Sequence, residues 1–191
     1  MDINVRKVST DWTTLPTGLT WYFIGQPKTG KTTQASKWSP NGAERCLLID
    51  TDLGSDFVEG ANTVTVTSLN TPVRPKMTDN KQVTEKGKPV TEVVPHDERG
   101  YYNRSGDIGE PMEVYSMVEV YYWLKDNLKK LPYDTIVIDT IDHINRWIEL
   151  EVCDERGQAA MGEGSSWGAD WAQARKKNLD IVKKFQTLCK S

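Results

Sequence analysis

The chain has 191 residues, 37% of them hydrophobic, and a formal net charge of −3. This length suits one α/β domain with a sizeable core and is too short for two. The acidic balance argues against a surface that coats nucleic acid indiscriminately. Three cysteines without metal-ligand spacing do not suit a disulfide framework, and no run of eighteen apolar residues occurs. The sequence therefore predicts a soluble protein of a reducing cytoplasm that makes no membrane contact.

The first predicted elements are a strand, a loop and a short helix. The apolar stretch from Leu19 to Ile24 predicts the strand, and we expect the helix from Lys31 to about Trp38. The loop between them fits the pattern G-x-x-x-x-G-K-[ST], which is typical of phosphate-binding loops that follow a strand. Gly25 and Gly30 allow the backbone to turn with positive φ, so that successive N–H groups can point at phosphate oxygens.

This loop predicts a nucleoside triphosphate with magnesium as the ligand. Lys31 would place a compact positive charge on the β- and γ-phosphates, and the Thr32 hydroxyl would ligate Mg²⁺. A glycine-rich turn without a ligand is the simpler alternative. The candidate nucleotide-binding residues are Gly25, Gln26, Pro27, Lys28, Thr29, Gly30, Lys31, Thr32 and Thr33.

Two further strands are expected after a turn at Asn41-Gly42. Cys46 to Asp50 is a continuous apolar run that ends in acid, with Asp52 two residues later. Thr63 to Thr67 alternates between apolar and polar residues, which predicts an edge strand with one wetter face. Strands that alternate with helices indicate a parallel sheet.

From Asn70 to about Pro111 the chain is rich in proline and charge, and we expect this insertion to lie outside the core. Lys86-Gly87-Lys88 predicts a hairpin turn between residues 82–84 and 90–94. The insertion is either a flap or partner-binding arm, or a solvated loop without a role. The run from Arg99 to Arg104 combines two guanidinium groups with two aromatic rings, chemistry suited to stacking on bases or reaching a neighbour's phosphate.

The second candidate site element is the segment from Tyr133 to Thr140. This segment predicts a buried parallel strand that ends with Asp139 at the carboxyl edge of the sheet. There Asp139 can hold magnesium through water, the role usually called Walker B, although many strands end in Asp only to cap the next helix.

Three helices complete the predicted pattern. Apolar residues from Met117 to Leu131 recur at helical spacing, and a second helix begins near Ile141 with Thr140 as its cap. After a glycine-rich loop from Gly157 to Gly168, the last helix runs from Trp171 to Cys189. Its inward residues are expected to be Leu179, Val182, Phe185 and Cys189.

Together these segments resemble the RecA-like phage ATPases of the Sak type, small relatives of the recombinase core that are associated with single-strand annealing. The likeness rests on Gly25 to Thr33, Leu47 to Asp52, Tyr133 to Thr140 and Gly162 to Arg175. It implies that Asp52 corresponds to the carboxylate that orients or deprotonates the attacking water. Family members usually place Glu there, and the Asp of this chain is shorter by one methylene group. A turn or cap acid is the alternative for Asp52, and Asp142 is the reserve candidate.

The resemblance breaks at the carboxyl end. Related ATPases continue into another strand, which inserts between the phosphate-loop strand and the Walker B strand and carries a γ-phosphate sensor. Here no sequence follows residue 191. We therefore expect a gap in the sheet, a different strand order or a shortened form of a longer protein, with low stability or completion by another chain.

The predicted fold is α/β, a P-loop NTPase with a mostly parallel sheet flanked by helices. It forms one domain over residues 1–191 with a polar hairpin and loop insertion at 70–111. The leading function is magnesium-dependent ATP binding and hydrolysis in phage DNA recombination or annealing, in the host cytoplasm. Lys31, Asp52 and Asp139 are the catalytic candidates, with Thr32 and Asp139 as metal ligands. Single-stranded DNA, a second copy of the chain or a recombination protein are the expected partners.

Two other classes of function stay open. A nucleotide or small-molecule kinase would use the same loop but needs lid arginines, for which the insertion offers Arg99 and Arg104. A non-catalytic module would hold nucleotide without turnover. A GTPase is disfavoured because no Asn-Lys-x-Asp motif occurs. An arginine finger and the nucleic-acid surface are not assigned; the candidate fingers are Arg99, Arg104, Arg146, Arg156 and Arg175, and Arg175-Lys176-Lys177 is either a nucleic-acid contact or a solvated helix face.

Overall fold

The structure is a computed structural model that describes residues 20–39, 41–54, 60–99, 113–163 and 168–189. Within these ranges the helices are α1 Lys31–Ser36, α2 His96–Arg99, α3 Met117–Asn127, α4 Ile141–Arg156 and α5 Ala169–Leu188. The strands are β1 Cys46–Asp50, β2 Asn62–Ser68, β3 Val73–Pro75, β4 Met77–Thr78, β5 Lys81–Gln82, β6 Thr84–Glu85, β7 Lys88–Pro89, β8 Thr91–Val93, β9 Tyr115–Ser116 and β10 Thr135–Asp139.

Four parallel strands form the central sheet in the order β10-β1-β2-β9. All five residues of β1 are buried, because helices cover both of its faces. Leu47 and Ile49 pack into the main core with α3, α4 and α5, whereas α1 contacts β1 and β10. This arrangement confirms the predicted α/β class with a parallel sheet flanked by helices.

Two strand predictions are wrong. Residues 20–24 form no strand, and Tyr22 and Ile24 are 69% and 85% exposed; Leu19 lies outside the described residues. Their aromatic side chains pack just beyond the end of α1 instead, since Trp21 and Phe23 both make edge contacts with Trp38. β2 is not an edge strand, because the two-residue β9 pairs with its outer side. The end strands of the described sheet are β10 and β9, and the residues of β10 are only partly buried.

Local sequence signals explain where the helices begin and end. Ser116 and Glu119 form a reciprocal capping box at the start of α3. Thr140 caps α4 as predicted, and Gly157 ends that helix with a φ of 63°. The predicted inward face of α5 is partly wrong: Phe185 is buried, but Leu179 is 47% exposed and Cys189 is exposed. Ala174 and Leu188 fill the core instead, which shifts the inward stripe by one residue. Among the described residues, no helix is long and apolar enough to cross a bilayer.

The insertion contains a three-armed sheet, residues 73–93, in which three two-stranded ladders meet at one junction. The arms are β3 with β8, β4 with β5, and β6 with β7. At the junction Lys76 N–H donates to the Val90 carbonyl, Val90 N–H to Val83, and Val83 N–H to Lys76, at 2.9 Å each. The three residues therefore close a ring of backbone hydrogen bonds.

The predicted hairpin of the insertion is only partly correct. Lys86 and Gly87 do form a turn, but residues 91–93 pair with 73–75 rather than with 82–84. A second two-residue turn at Asp79-Asn80 has the same backbone form, with positive φ at both positions. Such turns match the twist of the strands that they connect.

Arg99 fixes the three-armed sheet to the body of the domain. Its side chain is 3% exposed and forms a two-pronged ion pair with Glu119 of α3, with N–O distances of 2.7 and 2.9 Å. Its Nε–H donates to the carbonyl of Val94, which directly follows β8. Arg99 is therefore committed to a structural contact and is not free to reach a nucleotide, in contrast to its candidate roles as finger or lid residue.

Replacing Arg99 with methionine should lower the free energy of unfolding by about 2 to 3 kcal/mol at neutral pH, because Glu119 would lose the partner of a largely buried ion pair. Burial opposes ionisation of Glu119, but hydrogen bonds from Arg99 and Ser116 outweigh it and lower its pKa to about 2. An unfolded glutamate titrates near about 4.3, so this carboxylate adds stability above that pH, which is lost as the pH falls towards 2. Denaturant titrations between neutral and acid pH measure both effects.

Arg74→Met is the matched control, since Arg74 pairs with Glu92 while 44% exposed. It should cost much less than Arg99→Met, because water screens the exposed ion pairs of Arg74 with Glu92 and Glu98. Equal losses in the two variants would contradict the assigned role of Arg99.

Candidate functional site

The candidate phosphate loop lies before α1, and its residues 25–30 are all exposed. Gly30 has a φ of 81° and caps α1, as the pattern requires. The other left-handed residue of the loop is Lys28, with a φ of 63°, rather than Gly25. Glycine suits position 25 because of a close approach rather than a positive φ. A Cβ there would lie 3.3 Å from the Thr29 hydroxyl, which donates to the Gln26 carbonyl at 2.8 Å.

Lys31 closes the loop from its helix side. Its ammonium group donates to the carbonyls of Gly25 and Gln26, at 3.0 and 2.8 Å. The charge is thereby held against the backbone carbonyls at the start of the loop. Pro27 and Thr33 are exposed on the same loop and first helical turn.

Thr32 joins this loop to the end of β10. Its hydroxyl donates a short hydrogen bond to the carboxylate of Asp139, although 107 residues separate the two in sequence. Both are partly buried. The contact arises because α1 packs beside β1 and β10, so that the start of the helix meets the carboxyl edge of the sheet.

Two more carboxylates lie at this edge, Asp50 as the last residue of β1 and Asp52 just after it. Asp50 pairs in register with Asp139, is 2% exposed and accepts hydrogen bonds from the N–H groups of Asp52 and Gly54, at 3.1 and 3.3 Å. Burial and the neighbouring charges of Asp50 and Asp139 raise the pKa of Asp52. The candidate water-positioning acid is therefore electrostatically linked to the candidate metal ligand.

The loop that carries Asp52 has an unusual backbone. Leu53 adopts a φ of 59°, which is rare for a large side chain and is found where function holds a strained conformation. A Cβ at Gly54 would lie 2.6 Å from the Asp52 carboxylate, so only glycine lets this side chain fold against the loop.

Thr51 holds the ends of β1 and β10 together. Its N–H donates to the Asp139 carbonyl at 2.7 Å, and its hydroxyl both donates to the Thr140 carbonyl and accepts from the Thr140 N–H, at 2.9 and 2.8 Å. The Nδ1 of His143 lies 2.5 Å from the Thr51 carbonyl, so this nitrogen carries the proton and donates. These bonds fix the distance between Asp139 and the Asp52 loop.

The donor set fits a triphosphate with magnesium. Thr32 and Asp139 offer one hydroxyl and one carboxylate, oxygen ligands of the kind that Mg²⁺ takes while phosphates and water fill its remaining positions. Within the described residues, no group of three or more histidine, cysteine or acidic side chains forms a closed metal cage. The exposed loop and the Lys31 ammonium provide the matching charge for phosphate oxygens.

Comparison with protein families agrees with this geometry. A family model described as "AAA domain" matches residues 17–190, which is nearly the whole chain. The chain belongs to the AAA domain family. No curated protein and no solved structure matches it. Membership establishes a P-loop NTPase fold and indicates a nucleotide-binding ATPase, with a nucleotide as its substrate.

The candidate site of this AAA domain contains residues that the sequence pattern did not assign. Asp50 and Thr51 stood out only as part of an acidic strand end, and no signal pointed to His143. Asp142, the reserve candidate, is exposed in the first turn of α4, where its N–H and carboxylate face the Thr140 hydroxyl at 3.4 Å.

The arginine candidates separate by environment. Arg146 and Arg156 are exposed, and their side chains contact Glu149 and Gln173 on the helical surface. Arg175 is exposed on α5. Arg104 lies outside the described residues.

Proposed function

We propose that this AAA domain binds ATP with magnesium and hydrolyses it to ADP and phosphate. The observation that carries the proposal is the hydrogen bond from Thr32 to Asp139, which joins the start of α1 to the end of β10. In P-loop NTPases, the phosphate loop and the acid that ends a strand hold the same metal ion and the same triphosphate. Their contact here supports such a shared site.

Three side chains take the main roles in this proposal. Lys31 neutralises charge on the β- and γ-phosphates, and its ammonium exchanges the loop carbonyls of Gly25 and Gln26 for phosphate oxygens. Asp52 orients a water molecule for in-line attack on the γ-phosphorus and accepts its proton as the bond to the bridging oxygen breaks. Magnesium, when bound through Thr32 and Asp139, would neutralise the developing charge on the phosphate oxygens.

The elevated pKa of Asp52 favours this role. A carboxylate whose charge is opposed by Asp50 and Asp139 is a stronger base than an ordinary aspartate. Asp52 is exposed, which leaves room for a water molecule beside it.

We also propose that this activity serves phage DNA recombination or single-strand annealing in the host cytoplasm. This part rests on the resemblance to RecA-like ATPases of the Sak type at the four segments named above. Single-stranded DNA and recombination proteins are the corresponding partners.

Phosphate release tests the function directly. Purified protein is incubated with ATP and Mg²⁺, with and without single-stranded DNA, and with candidate phosphoryl acceptors. DNA-stimulated release supports the recombination ATPase, and a phosphorylated acceptor would instead indicate a kinase. Nucleotide binding without release would indicate a non-catalytic module. The structure gives the kinase less support, because Arg99 is buried against Glu119.

Asp52→Asn should lower kcat about 100-fold while leaving the Kd for ATP nearly unchanged, because the amide can orient water but cannot accept its proton. Single-turnover phosphate release and calorimetry measure the two quantities. The control is Asp126→Asn, which removes an exposed acid on α3 and should leave both quantities unchanged. Full turnover by Asp52→Asn would transfer the proposed role to another residue, with Asp142 tested next.

A further inference from the structure

The three-armed sheet has one charged and one uncharged face. In an antiparallel ladder opposed residues share a face and successive residues alternate, so register assigns every side chain. The observed pairs are Val73 with Val93, Pro75 with Thr91, Met77 with Gln82, and Thr84 with Pro89. Lys76, Val83 and Val90 are the single residues between consecutive arms and are hydrogen-bonded to one another, so the alternation continues from arm to arm through the junction.

The uncharged face is defined by eight residues, all of them exposed: Val73, Pro75, Met77, Gln82, Thr84, Pro89, Thr91 and Val93. Its three largest aliphatic side chains, those of Val73, Met77 and Val93, are 57%, 55% and 54% exposed. The charged residues of the strands share the opposite face, where Arg74 pairs with Glu92, and Lys88 stands opposite Glu85. This separation is the pattern of a sheet that packs one face against another element.

We propose that the uncharged face binds the same face of a second copy of this chain. The element that best complements a twisted two-sided sheet is another sheet of the same hand, packed face to face. A second copy supplies such a sheet. Because the face carries no charge, two copies meet on it without like-charge repulsion, as an interface that pairs one patch with itself requires.

The face is held ready for such a contact. The N–H of Val94 donates to the carbonyl of Pro72 at 3.0 Å, which extends the pairing of β3 with β8 towards the body of the domain. Arg99 and Glu119 then clamp the segment after β8 onto α3. Little conformational freedom is lost on association when the surface is already fixed.

The size of the face sets the expected strength of the dimer. Eight exposed residues can bury on the order of 500 Å² per copy, less than the roughly 800 Å² per partner of a standard interface. We therefore expect a reversible dimer with a dissociation constant on the order of 100 μM.

Sedimentation velocity of the full chain between about 5 and 500 μM tests this expectation, since the range brackets the expected constant. The wild-type mass should rise with concentration. Met77→Glu combined with Val93→Glu should weaken the dimer at least about tenfold, because each copy then brings two negative charges into the contact. Lys81→Gln combined with Lys88→Gln is the matched control: it changes the net charge by the same −2 on the opposite face and should associate like the wild type.

A crosslinking measurement locates the contact independently of dimer strength. Met77 lies beside the junction, near the centre of the uncharged face, and Lys81 lies on the charged face. In a Cys189→Ser background, which removes the exposed cysteine, Met77→Cys should be joined by a short bis-maleimide much faster than Lys81→Cys. Circular dichroism and ATP binding verify that each variant is folded.

Three results would overturn the proposal: a wild-type monomer at every concentration, a dimer that survives Met77→Glu with Val93→Glu, or equal crosslinking at positions 77 and 81. A chain that stays monomeric while its uncharged face binds a different protein would overturn the proposal in the same way as the first result.

Discussion

Alanine in place of Lys31 is expected to reduce kcat/KM for ATP about 1,000-fold, because it removes the charge that meets the β- and γ-phosphates in both the bound and the transition state. The fold should be unaffected, since Lys31 contacts only carbonyls of the exposed loop. Calorimetry with a non-hydrolysable ATP analogue measures binding, and phosphate release measures turnover.

Lys37→Ala is the control for this variant. Lys37 is exposed at the end of the same short helix and carries the same charge without facing the loop. We expect it to retain wild-type affinity and turnover. Unchanged affinity of Lys31→Ala would refute the assignment of the loop.

Asparagine in place of Asp139 should lower magnesium-supported ATP binding and turnover about 100-fold. The amide oxygen can still accept the Thr32 hydrogen bond, so the packing of α1 against β10 is preserved while the charge that attracts the metal is lost. ATP binding measured in excess chelator should change less than twofold. This difference between the two conditions separates a metal ligand from a structural residue.

Asp142→Asn provides the comparison with a nearby acid. Its side chain faces the Thr140 hydroxyl at the start of α4, three residues beyond Asp139, and we expect turnover within about threefold of wild type. An equal loss for Asp139→Asn with and without metal would mark Asp139 as a merely structural acid.

The sequence predicted those parts of the fold that local pattern determines. The apolar run of β1 and the acid that ends β10 were recognisable because buried parallel strands leave a continuous hydrophobic signal. Thr140 was recognisable as a cap because its hydroxyl precedes an apolar helical repeat.

Long-range pairing was not recognisable in the same way. Residues 20–24 have the composition of a strand, yet composition does not specify a partner, and Trp21 and Phe23 pack on Trp38 instead. In the insertion, β3 and β8 pair residues 73–75 with 91–93 across two intervening hairpins, so no local signal reveals this pairing. The turn at Asp79-Asn80 does carry a local signal, since Asn and Asp tolerate positive φ.

The candidate site shows the same division. Lys31, Thr32 and Asp139 belong to motifs with known chemistry, so their residue types and spacing were enough to predict them as site residues. Thr51 and His143 act through backbone carbonyls, and such contacts depend on the fold rather than on a motif.

The ring of hydrogen bonds among Lys76, Val83 and Val90 restricts how the insertion can change during evolution. One extra residue in a single strand would shift the pairing register of two neighbouring arms and would place charged side chains on the uncharged face. A residue added to each strand of an arm next to its turn preserves every existing pairing. Homologous insertions should therefore differ in length by even numbers, with the added residues at positions 79–80 or 86–87.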